Sequence, residues 1–404
     1  MDHHFAIEDE TMKQAYIVTA LRSPVCKAFK GSLRAKRPDE LCADVIRGIL
    51  EKTPTFDPSE IDDVIVGCAM PEAEQGMNIA RFTVLLAGLP ESVPGVTVNR
   101  FCSSGLQTIA MAADRIMAGQ ADCILAGGTE SMSLIPMMGN KVVASRAMNE
   151  LHPSAYLGMG MTAENVAADY KISRDEQDIF ACESHQKAIK AITGGLFKNE
   201  IVPVTATARV PGNHGKVEVR HSMVDIDEGA RSDTTVAGLA KLRPAFLQHG
   251  GTVTAGNSSQ MSDGAAMSLI CSEDFIKRYK LNPIARFAGY SVAGVPPRVM
   301  GIGPVAAIPK ACKLAGISQD KIDRIELNEA FAAQALAVVN SLKLDPNRIN
   351  PTGGAIALGH PLGATGAKLT ASLLHGLRRD KQKWGMVSMC IGTGMGAAGI
   401  FEIL

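Results

Sequence analysis

Aromatic residues are scarce: 1 Trp, 5 Tyr and 12 Phe make up 4% of the chain. A core short of large rings is filled by aliphatic and small side chains, and 39 glycines within a sequence that is 46% hydrophobic suit closely packed helices and strands. Net charge is also missing: 41 basic residues balance 41 acidic ones, with a sequence pI near 7.1. That excludes nucleic acid or an anionic membrane as a general partner, though not a local basic patch for a phosphorylated ligand. The nine cysteines (26, 42, 68, 102, 123, 182, 271, 312 and 390) are odd in number and contain no C-x-x-C. Neither a disulfide framework nor a structural zinc is expected, and the compartment is reducing. The nine histidines form no ligand-spaced cluster, so no metal is expected. No apolar run approaches the ~20 residues of a membrane span. The stretch Met1 to Gln14 is polar and partly acidic, unlike a signal or transit peptide, and Phe401-Glu402-Ile403-Leu404 is no organelle address. The expected location is cytoplasmic.

At 404 residues the chain exceeds what one core usually holds, so at least two domains are expected. The pattern predicts strands at Ala15–Thr19, Ile61–Gly67, Val96–Val98 and Cys123–Ala126, with helices at Glu40–Leu50, Asn78–Leu86 and after Cys102. Such alternation implies a mainly parallel sheet covered on both faces. Arg22 to Pro38, basic and broken by glycine, reads as a surface loop. Between Ser133 and Gly251 the texture changes: Met, Pro, His and charge rise, Gly194-Gly195 and Pro211-Gly212 punctuate, and Ala163–Tyr170 and Glu176–Ile192 look helical. This is an excursion from the α/β core, which Thr252–Asn257 re-enters with strand character. The second half then echoes the first. Ile322-Asp323 before an apolar strand repeats Ile61-Asp62, and Val387–Met395 repeats Cys123–Met132, which points to an internal duplication.

Four stretches carry chemistry. Asn99 to Gln107 ends an apolar strand in Cys102-Ser103-Ser104-Gly105 and opens an apolar helix. A helix start has unpaired N–H groups and the positive end of the dipole, which predicts a Cys102 thiol lowered toward a thiolate nucleophile. Asn328-Glu329-Ala330-Phe331 follows a strand, where site residues of an open sheet usually lie. In Asn350 to Ala367, glycines at 353, 354, 359, 363 and 366 frame a single His360, held by Pro361. Glycines let backbone approach a ligand, and a histidine so framed reads as a base. Cys390-Ile391-Gly392-Thr393-Gly394 sets a second cysteine before a loop whose N–H groups suit an oxyanion hole. Two thiols and one imidazole suggest that one thiolate attacks, His360 takes its proton, and the other thiol shuttles a proton elsewhere.

With these motifs the chain resembles a thiolase along its whole length, through Asn99–Gln107, Gly127–Met132, Thr254–Gly264, Asn328–Ala332, Asn350–Ala367 and Ser388–Ala397. Val295-Pro296-Pro297, Met300 to Pro304 and Cys390 to Gly394 make it most similar to degradative 3-ketoacyl-CoA thiolases (acetyl-CoA C-acyltransferases) of fatty-acid β-oxidation. The short-chain acetoacetyl-CoA class usually has His where this chain has Gly158. The resemblance implies a duplicated five-layer αβαβα core, divided as an N-terminal domain (1–132, completed by about 252–282), a loop domain holding CoA (133–251) and a C-terminal domain (283–404). It implies that Cys102 is acylated and activated by His360, that His360 with a water held by Asn328 forms one oxyanion hole, and that the N–H groups of Cys102 and Gly392 form the other. Cys390 would protonate the acetyl-CoA enolate and deprotonate the incoming CoA. Arg231, Phe246 and Ser259 match positions that contact CoA, and Met159 and Phe331 match positions lining the pantetheine or acyl site. No cofactor is implied, CoA being a substrate. Implied partners are 3-ketoacyl-CoA, acyl-CoA and a second copy or copies in a homodimer or homotetramer, with a β-oxidation multienzyme partner left open. The alternatives are an acetyl-CoA acetyltransferase acting on acetoacetyl-CoA, a decarboxylating ketoacyl-synthase-type enzyme, which has no use for a base at 390, and a non-catalytic acyl-CoA-binding protein, which would lack one of these groups.

Overall fold

Two strand ladders run through the molecule in one repeated order, and the helix pair between them positions the chemistry. The computed structural model describes residues 13–211 and 216–404; the readings made of residues 1–12 and of Gly212 lie outside these. The first half comprises β1 (Ala15–Arg22), β2 (Cys26–Lys27), α1 (Pro38–Lys52), β3 (Asp63–Gly67), α2 (Ile79–Ala87), β4 (Gly95–Val98), α3 (Ser104–Met117) and β5 (Cys123–Ser131). The excursion holds α4 (Arg146–Leu151), α5 (Met159–Asp169), α6 (Arg174–Thr193), the paired strands β6 (Val204–Pro211) and β7 (Val217–Val224), and α7 (Val236–Leu239). Then come β8 (Ser262–Ser272), α8 (Glu273–Tyr279), β9 (Ala285–Gly294), α9 (Gly303–Leu314), β10 (Arg324–Leu327), α10 (Ala332–Leu342), α11 (Ala355–Leu358), α12 (Thr365–Arg379), β11 (Trp384–Ile391) and β12 (Met395–Ile403).

Strands of the first half lie in the order β4-β3-β5-β8-β1, and those of the second in the order β10-β11-β12-β9. A single bridge from Ile349 to Ile325 takes the outer place that β4 holds in the first half. β1 and β9 join the two ladders through a short antiparallel pairing at Tyr16 and Ile17. The echoed Ile-Asp motifs do the same work in each half. Asp62 Oδ2 accepts from Asp122 N (2.7 Å) and Cys123 N (3.0 Å) at the start of β5. Asp323 Oδ2 accepts from Lys383 N (3.0 Å) and Trp384 N (2.8 Å) at the start of β11. The duplication is thus structural.

Alternate side chains of each strand enter different cores, as the two-residue period requires. Val64, Val66, Leu125 and Leu269 pack under α1 and α2. Ile65, Ile124 and Ile270 face α3 and α12, whose other side meets Val387, Met389 and Phe401. Met386, Ala398 and Ile400 face α9 and α10. The layers are therefore helix, sheet, helix, sheet, helix. In the middle layer the N-termini of α3 and α12 press together. A Cβ on Gly105 would lie 2.9 Å from Ala367 N, and one on Gly366 would collide with Leu106 N. Only glycine permits this approach, and it draws the turns preceding both helices to one point.

Three expectations are corrected. The sheet is mixed rather than mainly parallel: β3 pairs in parallel with β4 and β5, and β10 with β11, but β8 runs antiparallel to β1 and β5, and β12 to β9 and β11. The cause is connection. β8 returns from the excursion, and β11 and β12 are joined by a tight turn, so neither is a helical crossover. Thr252–Asn257 is not a strand. Thr254 and Asn257 bond to one another's backbone (Thr254 N to Asn257 Oδ1, 2.8 Å) and close a turn. Arg22 does not begin a surface loop; it is fully buried, bonding Glu200 at 2.6 Å and Asp227 through two bonds of 2.8 Å.

Candidate active site

Cys102 occupies the single turn Phe101–Ser103 that carries the chain from β4 into α3. Its neighbours in the sequence motif hold that turn. Asn99 Oδ1 accepts from Phe101 N (2.8 Å) and Asn99 Nδ2 donates to Ala69 O (3.0 Å). Ser104 Oγ accepts from Arg100 N (2.8 Å) and donates to Phe101 O (2.7 Å). Phe101 sits in the left-handed region at φ 44°, at a cost of order 1–3 kcal/mol that the surrounding bonds offset. The expected thiolate is not what this setting favours at rest. Burial pushes the Cys102 thiol up to about 11, against the N–H groups of Gly392 and of Cys102 itself, which favour the thiolate. Loss of water around sulfur outweighs a few backbone dipoles, and Cys102 precedes the first turn of α3. It is nevertheless the most exposed of the nine buried cysteines, at 9%. Iodoacetamide is expected to label it first, at a rate that climbs from pH 7 to 9 without a plateau. Peptide mapping that found Cys26 or Cys68 modified ahead of it would contradict this.

His360 lies in the turn ahead of α12. Its N–H donates to Gln260 O (3.0 Å), and Lys368 Nζ donates to the carbonyl of Gly359 (2.9 Å), whose φ of 87° requires glycine. Thr365 Oγ1 donates to Pro361 O (3.1 Å) and lies 2.6 Å from His360 Nδ1. With its one proton so used, the hydroxyl accepts from Nδ1–H, which assigns the free lone pair to Nε2. Burial, assisted by the Lys368 ammonium, lowers His360 to about 3, so the ring is neutral and able to accept a proton. Asn328, at the end of β10, brings Nδ2 to 3.4 Å from Nε2. Its Oδ1 is buried without a hydrogen-bond partner.

Cys390, near the end of β11, is 1% exposed and lies in an apolar cluster with Met159, Met300, Ala330 and Phe331. Burial first, then the charge of a Cys102 thiolate, pushes its thiol well up. The Gly392-Thr393-Gly394 turn beyond it brings the Gly392 N–H near enough to the Cys102 sulfur to favour its thiolate, with Thr393 at φ 68° and Gly394 at φ 91°. Leu362, two residues past His360, shares an apolar cluster with Cys102. Residues from three strand ends and two helix starts thus meet: Cys102 from the first half, His360, Asn328, Cys390 and Gly392 from the second.

The candidate CoA contacts fall into two groups. Phe246 meets Phe331 edge-on at 6.2 Å, Gly160 beside Met159 is pressed against the Phe246 ring, and Ser259 N donates to Ala330 O (2.9 Å). Arg231 stands apart on the surface, paired with Asp233 at 3.1 Å and fixed by its N–H to His185 Nδ1 (3.1 Å). Sequence reasoning gave no role to Glu130, Gln260, Glu329 or Thr365. Gln260 Nε2 joins Gly229 O (2.9 Å) to Ile356 O (2.8 Å), while its carbonyl holds His360. Glu329 is buried and accepts from Ser184 Oγ (2.7 Å) and Asn350 Nδ2 (2.8 Å). An acid at or just past the end of an apolar strand is the signal by which the two glutamates could have been found.

The family profile described as thiolase, N-terminal domain, matches residues 15–274, and that described as thiolase, C-terminal domain, matches residues 281–403. A 3-ketoacyl-CoA thiolase of Bacillus subtilis (strain 168) is 52% identical over 392 residues, covering 97% of this chain and 100% of that protein. The peroxisomal 3-ketoacyl-CoA thiolase of Homo sapiens is 46% identical over 388 residues, covering 96% and 90%. Among solved structures, the acetyl-CoA acetyltransferase of Bacillus anthracis matches with a TM-score of 0.87 at 39% identity, covering 97% of this chain and 99% of that one.

Proposed function

The chain belongs to the thiolase family, and from that premise we propose that Cys102, His360, Cys390 and Asn328 carry the thiolytic cleavage of 3-ketoacyl-CoA. The enzyme is an acyltransferase. With CoA it converts 3-ketoacyl-CoA to acetyl-CoA and an acyl-CoA two carbons shorter, the chemistry of fatty-acid β-oxidation, in keeping with relatives named 3-ketoacyl-CoA thiolase.

In the first step Cys102 sulfur attacks the 3-keto carbon as its proton passes to His360 Nε2. The N–H groups of Cys102 and Gly392 receive the oxyanion. The bond between C2 and C3 then breaks, and the departing acetyl-CoA carbanion takes the proton of Cys390. Protonated His360, beside Asn328, stabilises the enolate oxygen. In the second step the Cys390 thiolate removes the proton of CoA, whose sulfur attacks the acyl-Cys102 carbonyl. Cys102 leaves and recovers its proton from His360. The observation that carries this reading is the pair of buried thiols, Cys102 on the Phe101–Ser103 turn and Cys390 on the strand β11 packed against that turn, together with the buried imidazole of His360. A decarboxylating condensing enzyme has no need of the second.

Residues 133–251 are assigned to hold CoA, with Arg231, Phe246, Ser259, Met159 and Phe331 along its path. No cofactor enters the scheme. The acetyl-CoA acetyltransferase reading draws on the Bacillus anthracis structure, but Gly158 favours longer chains: a Cβ there would meet nothing within 4 Å. Kinetics across chain lengths test the choice. The kcat/KM for an eight-carbon 3-ketoacyl-CoA is expected to equal or exceed that for acetoacetyl-CoA. A preference for acetoacetyl-CoA above about tenfold, roughly 1.4 kcal/mol at the transition state, would reassign the chain to the short-chain class.

A homodimer or homotetramer is proposed from exposed apolar surface. Strand β4 is the outermost of its ladder, and Val96 on it, with Phe82, Leu85, Leu86 and Met77 on and beside α2, is exposed. An open edge flanked by apolar side chains is a pairing surface. Light scattering at the mass of one chain would refute it. Among the described residues no helix is long and apolar enough to cross a membrane. A cytoplasmic location is proposed because the reducing cytosol keeps thiols free, and cell fractionation tests it.

A further inference from the structure

One buried acid touches both catalytic loops and has no role in the scheme above. Glu130, near the end of β5, is 1% exposed and has no cation within ion-pair distance among the described residues. Its carboxylate accepts from Ala69 N (2.8 Å), Met70 N (3.3 Å), Gln75 Nε2 (2.7 Å) and Gly363 N (2.8 Å). Cys68 Sγ lies 3.9 Å away. All four close partners are N–H donors, so no acceptor awaits a carboxylic proton and the group is held ionised, although burial pushes its carboxyl up. Gly363 follows His360 by three residues. A Cβ on it would lie 2.7 Å from Glu130 Oε2, from Ala69 N and from Cys68 Cα. The loop bearing His360 is therefore clamped onto the first half through this carboxylate. The same loop 68–70 receives Asn99 Nδ2 from the Cys102 turn at Ala69 O.

We propose that Glu130 is a positioning residue that locks the His360 loop against loop 68–70, on which the Cys102 turn rests. The inference rests on the assignment of Cys102 and His360 given above. Glu130 thereby ties the base and the nucleophile together through backbone N–H groups of both loops.

The test compares two substitutions in the full-length enzyme. Glu130→Gln leaves one oxygen to face four donors. It is expected to lower kcat for thiolysis at least tenfold with KM for 3-ketoacyl-CoA within twofold of wild type. Glu130→Asp keeps a carboxylate but cannot span from Ala69 N to Gly363 N, and it is expected to show the same split. A merely structural role would lower the melting temperature and leave kcat of the folded protein unmoved. A folded Gln variant with kcat within twofold of wild type overturns the proposal. Should circular dichroism show the Gln variant unfolded, the Asp variant decides: kcat within twofold overturns it, and the tenfold loss with an unmoved KM supports it. Failure of the underlying assignment is seen separately, as a Cys102→Ala protein that still cleaves 3-ketoacyl-CoA.

Discussion

Cys390→Ala is expected to accept an acyl group on Cys102 from an ordinary acyl-CoA, yet to fail at cleaving 3-ketoacyl-CoA and at exchanging the methyl protons of acetyl-CoA with deuterium from solvent. The two reactions expel different leaving groups. Acylation from an acyl-CoA releases a thiolate, a good leaving group that His360 and the N–H groups of Cys102 and Gly392 can support. Cleavage of the 3-keto substrate releases a carbanion that must be protonated at carbon. Cys390 is placed for that proton and, buried among Met159, Met300 and Phe331, holds it firmly. General acid–base groups contribute about 10²–10⁴-fold, so the losses of cleavage and exchange should be at least that large. Cys102→Ala should lose acylation and cleavage together. Intact mass after mixing with acyl-CoA, read beside the exchange rate, separates the roles. A Cys390→Ala protein exchanging deuterium at the normal rate would leave the proton-shuttle assignment without support.

His360→Asn should show the complementary pattern, with acylation and cleavage both falling by about 10²–10⁴-fold, because each begins with the Cys102 proton. It should also alter acid stability. Burial, then the Lys368 ammonium, lowers His360 to about 3 in the folded protein, against about 6.5 in an unfolded chain. Below pH 6.5 the unfolded chain binds a proton that the folded one refuses, so the stability of the neutral buried ring is complete above that pH and is lost as pH falls toward 3. The Asn variant lacks this loss. Its denaturation midpoint should fall less between pH 7 and 5 than that of wild type. His185, lowered to about 4 by burial and by Arg231, changes in the same direction in both proteins and cancels. Equal pH slopes would show that His360 is not the neutral buried base described here.

What the sequence revealed and what it concealed divide along a physical line. Cys102 was legible because an apolar strand, a small-residue turn and an apolar helix follow one another within twenty residues, and such local patterns fix local structure. His360 was legible because glycines and proline around one imidazole have few other uses. The direction of β8 was not, since antiparallel return after an excursion of more than a hundred residues leaves no local trace. Arg22 looked like part of a basic loop because its partners, Glu200 and Asp227, are 178 and 205 residues away. Glu130 was visible within a motif, but its bond to Gly363 spans 233 residues. The Cys102 thiol was misjudged for the opposite reason: the helix start was local and visible, while the burial that overrides it comes from residues distant in sequence, Ala28, Ala69, Met132 and Leu362.

The repeated plan of the two halves has a consequence for how the molecule counts. Matching the Asp62 and Asp323 strands sets α3 beside α12, so that the turn occupied by Cys102 in one copy is the turn occupied by Gly363 in the other. Because the starts of both helices abut, the two equivalent positions lie at one place, and the second copy gives its backbone where the first gives its sulfur. Two repeats therefore yield one active centre, not two. A chain divided between α8 and β9 would leave the nucleophile on one fragment and its base and proton donor on the other. The unit of inheritance here is duplicated, but the unit of catalysis is indivisible.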